Sequence, residues 1–269
     1  MTVTPPTASE PAVSGPNTAR APTLAGPSRV ASDEVHVWCA CLDVPAETLA
    51  RLYATLAVDE RNRSARFRFQ RDRRHFIVAR GMLRKLLGRY LQTEPGRIAF
   101  VYQAFGKPDL SPEFGGRLKF NLSHSAGLAL IAIAAESDVG VDLEYVRAQS
   151  DYAELARHFF SAAEVEQLSA LPDHLYAEAF IGCWTKKEAY VKARGRGLVL
   201  PLQSFTVPLT SDPEQGPATL QVTSNDMDPA MRWSVHTLRP VSGYIGALAI
   251  QGSGWRLSRW QWEIEDPVR

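Results

Sequence analysis

An α+β protein built of two similar halves is predicted, each half an antiparallel sheet packed with a long helix and the first preceded by a disordered leader. Three observations predict it. The composition changes near residue 32, from Pro/Ser/Thr/Ala/Gly-dense to apolar-periodic. Beyond that point, runs of period two alternate with longer runs of period 3.6, as strands and helices require. The order of strand, helices and strands then occurs twice, with a break near Glu136. The expected divisions are a flexible leader over 1–32, a first half over 33–135 and a second half over 136–265 that carries the candidate metal ligands.

The first strand is expected at Val35–Cys41, and Pro45 then opens a helix through Leu49, Leu52 and Leu56. From Arg61 to Arg89 the chain is basic, with Ile77, Leu83, Leu86 and Leu87 at helical spacing and only Asp72 as an acid. Strands follow at Ile98–Tyr102, Leu118–Phe120, Leu128–Ala134 and Val139–Leu143, punctuated by Gly, Pro and Asp. Ser161-Ala-Ala-Glu164 has the form of a capping box, and a longer helix is expected from about Leu175 to Ala193, closed by Gly195. Antiparallel strands are expected at Leu220–Val222, Trp233–Leu238, Tyr244–Ile250 and Trp255–Trp262.

Composition excludes several classes. The 269 residues are 45% hydrophobic with a net charge of +1, enough for one sizeable body or two small domains. No apolar run reaches the ~18 residues of a membrane helix. The opening MTVTPPTASEPAVSGPNTARAPTLAGPS lacks the charged start and apolar middle of a secretory signal, so a soluble cytoplasmic protein with no membrane partner is expected. Three cysteines, Cys39, Cys41 and Cys183, form no C-x-x-C pair and are read as reduced, packed thiols. The near-zero net charge, and apolar residues interleaved with the arginines, argue against nucleic acid.

Chemistry concentrates in a few stretches. In "VGVDLEY", Asp142 and Glu144 sit at i and i+2 of a strand and project from one face, where two like charges repel unless a cation stands between them. Carboxylate oxygens of this kind suit Mg²⁺, which completes its shell with water and substrate phosphates. In "WTKKEAYVK", Glu188 lies on the helix face of Trp184 and Lys192. It is either the third carboxylate of that site and a base beside the metal, or half of a surface ion pair with Lys192. "FNLSHS" places His124 between Ser123 and Ser125, where it can grip phosphate, orient a base, or simply satisfy its own turn. Lys107 rides on the turn Phe105-Gly-Lys-Pro108. No glycine-rich phosphate loop occurs, so Arg80 and Arg84, one helical turn apart, with Arg61, Arg63 and Arg66 upstream, are the candidate phosphate donors.

Taken in order, "GKP", "FNLSHS", "GVDLE" and "WTKKEAYVKARGRGLVLPL" resemble the 4'-phosphopantetheinyl transferases of the larger, surfactin-synthetase-activating type. The likeness runs from about Val35 to Trp262 and is most specific from Gly106 to Leu202. It implies a monomeric pseudo-dimer that moves the phosphopantetheine arm of coenzyme A onto a serine of an apo acyl or peptidyl carrier protein. It assigns Asp142, Glu144 and Glu188 to Mg²⁺, with Glu188 also the base. Lys192 falls on a phosphate-contacting lysine that also assists the leaving group. Ser123, His124 and Lys107 fall on coenzyme A contacts, Arg80 on an arginine of the 3'-phosphate region, and Arg61 on a looser match. A non-catalytic coenzyme A or carrier-protein binding module is the alternative.

Overall fold

The computed structural model describes residues 27–147, 151–195, 200–209, 218–219 and 232–263. Residues 1–26 of the leader and the strand expected at Leu220–Val222 lie outside these. The first sheet has the order β10-β1-β5-β4, with β1 Glu34–Cys41, β4 Leu118–Ser125, β5 Leu128–Ala135 and β10 Arg256–Gln261. The second has the order β6-β9-β8-β7, with β6 Val139–Tyr145, β7 Ala218–Thr219, β8 Trp233–Leu238 and β9 Tyr244–Gln251. A separate hairpin pairs β2 Phe100–Tyr102 with β3 Pro108–Leu110. The helices are α1 Ala46–Ala54, α2 Val58–Ala65, α3 Gln70–Leu91, α4 Tyr152–Phe159, α5 Ala162–Ser169 and α6 Asp173–Arg194. None of the described helices is long and apolar enough to cross a membrane.

Alternation along the strands stacks these elements in four layers. In β1, Trp38 and Ala40 face α3, where Val78, Met82, Leu83, Leu86 and Leu87 receive them. The intervening Val35, Val37 and Cys39 face the second sheet and meet Val139, Val141, Leu143, Leu248 and Ile250. From the opposite side of that sheet, Val235, Ala247 and Ala249 pack on Tyr190, Val191 and other residues of α6. Both faces of β5 and β9 are therefore covered, which explains their continuous apolar sequences. Each such Leu, Ile or Val gains about 1.5–3 kcal/mol on full burial.

Three expectations need correction. The basic region from Arg61 is two helices, α2 and α3, parted at Arg66–Phe69. The segment Asn121–Ser125, read as a turn after the strand Leu118–Phe120, continues β4 to its end. The real turn is Ala126-Gly127, both at positive φ (42° and 87°), a two-residue hairpin loop of the kind that suits twisted strands. The strand at the C-terminal end does not join its neighbours as an antiparallel member. β10 instead crosses to the first sheet and runs parallel to β1, Trp38 opposite Trp260. The cysteines are free thiols, with Cys39 and Cys183 buried and the Cys39 pKa pushed up to about 12 by burial.

Candidate active site

Strands β4 and β6 belong to different sheets, so no backbone ladder joins them. Side chains do it instead. The Asn121 carboxamide oxygen accepts from the Val141 amide at 2.8 Å, and Ser123 Oγ donates to Asp142 Oδ1 at 2.9 Å. Ser125 Oγ donates to Glu144 Oε2 at 2.9 Å and accepts from the Tyr145 amide at 3.3 Å. The polar residues of "FNLSHS" thus recur every second position because alternate side chains of a strand face one neighbour.

Helix α6 crosses β6 at Gly140. A Cβ there would lie 2.1 Å from Ala189 O and 2.4 Å from Ala193 N, so only glycine permits the approach. That contact carries Glu188 and Lys192 to Asp142, two residues along the strand. Lys192 Nζ donates to Asp142 Oδ1 at 2.5 Å and to Ser123 Oγ at 3.0 Å. The i, i+4 surface pair with Glu188 is not how Lys192 is used: its amine reaches across to a carboxylate that is only 3% exposed.

Two carboxylate oxygens are left over. Asp142 Oδ2 and Glu188 Oε1 are buried and accept no hydrogen bond. A buried acceptor without a donor costs ~1–3 kcal/mol, more when charged. The Glu188 pKa is raised by burial and then by the charge of Asp142, with Lys192 opposing. Burial also raises Glu144, against the Ser125 hydrogen bond and with the charge of Asp142 adding. The three carboxylates stand within electrostatic reach of one another. Among the described residues, however, no group of three or more His, Cys, Asp or Glu side chains is gathered closely enough to hold a metal ion. The donor set is nonetheless all oxygen, and its two orphaned oxygens are the kind a hard cation satisfies.

His124, the penultimate residue of β4, has an exposed face, and the protein walling its remainder lowers its pKa, with His75 and Lys192 pushing the same way. His75 is held by Asp43 at 2.9 Å beside the Gly127 turn. Next to Glu144 opens a cavity of about 350 Å³, walled by Tyr145, Tyr152, Phe180 and Trp184.

Ser123, Asp142, Glu144, Glu188 and Lys192 therefore come together, with His124 close by. The arginines are deployed differently. Arg80 pairs with Glu60 and donates to Tyr102 Oη at 3.0 Å, and its guanidinium lies 4.1 Å from the centre of the Phe100 ring. Arg84 also binds Glu60, at 2.5 Å. Arg61 donates to Ala54 O at 2.9 Å, and its Nε is buried without a partner. Lys107 Nζ donates to Val139 O and Ala193 O, at 3.2 and 2.9 Å.

Sequence reasoning missed the bonds of Asn121 and Ser125 to β6, the Asp43–His75 pair and the roles of Lys186 and Lys187. Period-two polarity in "FNLSHS" was the available signal for the first two. Lys187 and Glu164 form an ion pair with neither side chain exposed, and Lys186 donates to Pro208 O at 2.6 Å with its pKa lowered by burial to about 8.

Comparison with known proteins bears on this arrangement. Residues 138–249 match the 4'-phosphopantetheinyl transferase superfamily, and residues 44–137 match the model described as 4'-phosphopantetheinyl transferase, N-terminal. The chain is 43% identical over 232 residues to the 4'-phosphopantetheinyl transferase HetI of Nostoc sp., covering 86% of this chain and 93% of that protein. It is 30% identical to the 4'-phosphopantetheinyl transferase psf-1 of Bacillus pumilus, covering 72% of this chain and 84% of the relative. Sfp of Bacillus subtilis, also a 4'-phosphopantetheinyl transferase, is 27% identical over 71% of this chain and 85% of its own length. With both stretches matched and one relative paired over nearly its full length, the chain belongs to the 4'-phosphopantetheinyl transferase family of enzymes.

Proposed function

We propose that the chain is a magnesium-dependent transferase that moves the 4'-phosphopantetheine arm of coenzyme A onto a serine of an acyl or peptidyl carrier protein. It works as a cytoplasmic monomer, a pseudo-dimer in which a single site uses both halves. Two four-stranded sheets, each backed by a 22-residue helix, support the two-half reading. The observation that carries the function is the convergence of Ser123, Asp142 and Lys192 beside two buried, unpartnered carboxylate oxygens. A purely structural cluster gains nothing from leaving such atoms unsatisfied.

Magnesium, held by Asp142, Glu144 and Glu188, would supply charge neutralisation at the pyrophosphate. The chain's own residues do the rest. The Glu188 carboxylate takes the proton of the carrier serine. The serine oxygen then bonds to phosphorus as the bond to the departing adenosine 3',5'-bisphosphate breaks. Lys192 Nζ, with one of its three donors left beyond Asp142 and Ser123, holds phosphate oxygen and steadies the leaving group's charge. Ser123 orients Lys192 and Asp142, His124 meets the phosphates with its exposed face, and Arg80 and Arg61 lie on the nucleotide side. Lys107 has its amine committed to two carbonyls.

The test is the intact mass of an apo carrier protein after incubation with the chain, coenzyme A and Mg²⁺. Gain of one phosphopantetheine group per carrier is expected. Coenzyme A binding with no change in carrier mass would identify a binding module instead.

A further inference from the structure

The hairpin of β2 and β3 precedes β4 in sequence yet docks on the far end of α6. Its turn, at Gly106 (φ 80°), brings Gln103 and Lys107 against Gly195, the left-handed residue that closes the helix (φ 63°). A Cβ on Gly195 would lie 2.2 Å from Gln103 Oε1 and 3.5 Å from Lys107 Cδ, so hairpin and helix end are in direct contact. Lys107 Nζ then donates to two carbonyls that belong to different elements. Ala193 O, at 2.9 Å, lies in the last turn of α6 and adjoins Lys192. Val139 O, at 3.2 Å, begins β6, three residues before Asp142.

Helix geometry explains why an ammonium belongs there. The last carbonyls of a helix lack intrahelical donors, and the helix dipole gathers partial negative charge at that end. A lysine supplies both a donor and a countercharge. The bond to Val139 adds something a simple cap does not, because it ties the helix end to the strand that α6 crosses at Gly140.

We propose that Lys107 is a positioning residue: its amine clamps the start of β6 to the end of α6 and so sets the spacing of Asp142 from Glu188 and Lys192. Its effect on turnover rests on the transferase reading, whereas the clamp itself does not. A lysine whose work is to hold the nucleotide would present its amine to the cleft; this one spends two of its three donors on backbone oxygens.

Lys107→Met keeps the stem and removes the amine. Amide hydrogen exchange of the substrate-free protein should quicken by about tenfold or more in β6 and in the last two turns of α6, with β1 and β5 unchanged. In transfer assays kcat should fall by about tenfold or more while the KM for coenzyme A stays within about twofold, the pattern of a lost arrangement rather than a lost contact. Lys107→Arg, which can reach the same carbonyls, should recover most of the loss. Should Lys107→Met not fold, Lys107→Gln is read in the same way. Unchanged exchange in both segments overturns the proposal, as does a raised KM with kcat intact, which would make Lys107 a nucleotide contact. Faster exchange with unaltered kcat overturns it too. A parent chain that transfers nothing would sink the transferase reading and leave the exchange comparison standing.

Discussion

Replacing Gly140 with alanine tests how the site is assembled. The added Cβ would sit 2.1 Å from Ala189 O, 2.4 Å from Ala193 N and 2.9 Å from Ala193 Cα, all backbone atoms of a helix that cannot rotate aside. Restoring ordinary contact of 3.4 Å requires α6 to retreat from β6 by about 1 Å. Overpacking of this kind costs ~1–3 kcal/mol, and the upper end is expected because no flexible side chain can yield. A displacement of about 1 Å at a reacting centre costs on the order of 10²-fold in rate. Gly182, also on α6, is the control. A Cβ there meets nothing within 4 Å, so Gly182→Ala should be neutral or stabilise by up to ~1 kcal/mol. Urea unfolding and initial transfer rates of both variants make the measurement. Stability and transfer by Gly140→Ala equal to the parent's would refute the idea that close helix approach builds the site.

Two further outcomes concern stability alone. Lys187→Met strands Glu164 in the core and should cost ~3–5 kcal/mol by urea titration, since both side chains of that pair are fully buried; a loss under about 1 kcal/mol would contradict it. His236 has its pKa lowered by burial from 6.5 to about 4, with Arg259 adding. The unfolded chain therefore takes up the proton first, so this contribution is full above pH 6.5 and is lost as pH falls toward about 4, ~3 kcal/mol in all. His236→Gln should flatten that part of the stability profile, and an unaltered profile would count against it.

Local pattern revealed the strands and long helices because both faces of β5 and β9, and the inner face of α3, bury apolar side chains at their own periods. It failed where a partner is distant. β10 alternates like any strand, and nothing local says that its neighbour is β1 or that the pairing is parallel. β4 looked like a turn at Asn121–Ser125 because its polar side chains stand in for the backbone ladder that β4 and β6 lack. The short α4 went unnoticed. At the site, the helical face of Glu188 and Lys192 and the paired acids of β6 were legible from spacing. The direction of Lys192 toward Asp142 was not, because it depends on which carboxylate is most buried. Arg80 and Arg84 looked like free cations, and Glu60 on α2 engages both.

On the proposed function, the unpartnered oxygens of Glu188 and Asp142 mark a reacting centre. Single-turnover transfer to an apo carrier by Glu188→Gln, with coenzyme A affinity measured in parallel by calorimetry, tests it most directly. The variant removes a carboxylate charge while preserving shape, and relief of repulsion with Asp142 leaves the fold as stable as before or slightly more so. Transfer should fall by about 10²-fold or more, as loss of a positioned base requires, with coenzyme A still bound. Near-normal transfer by Glu188→Gln at ordinary Mg²⁺ would contradict the account.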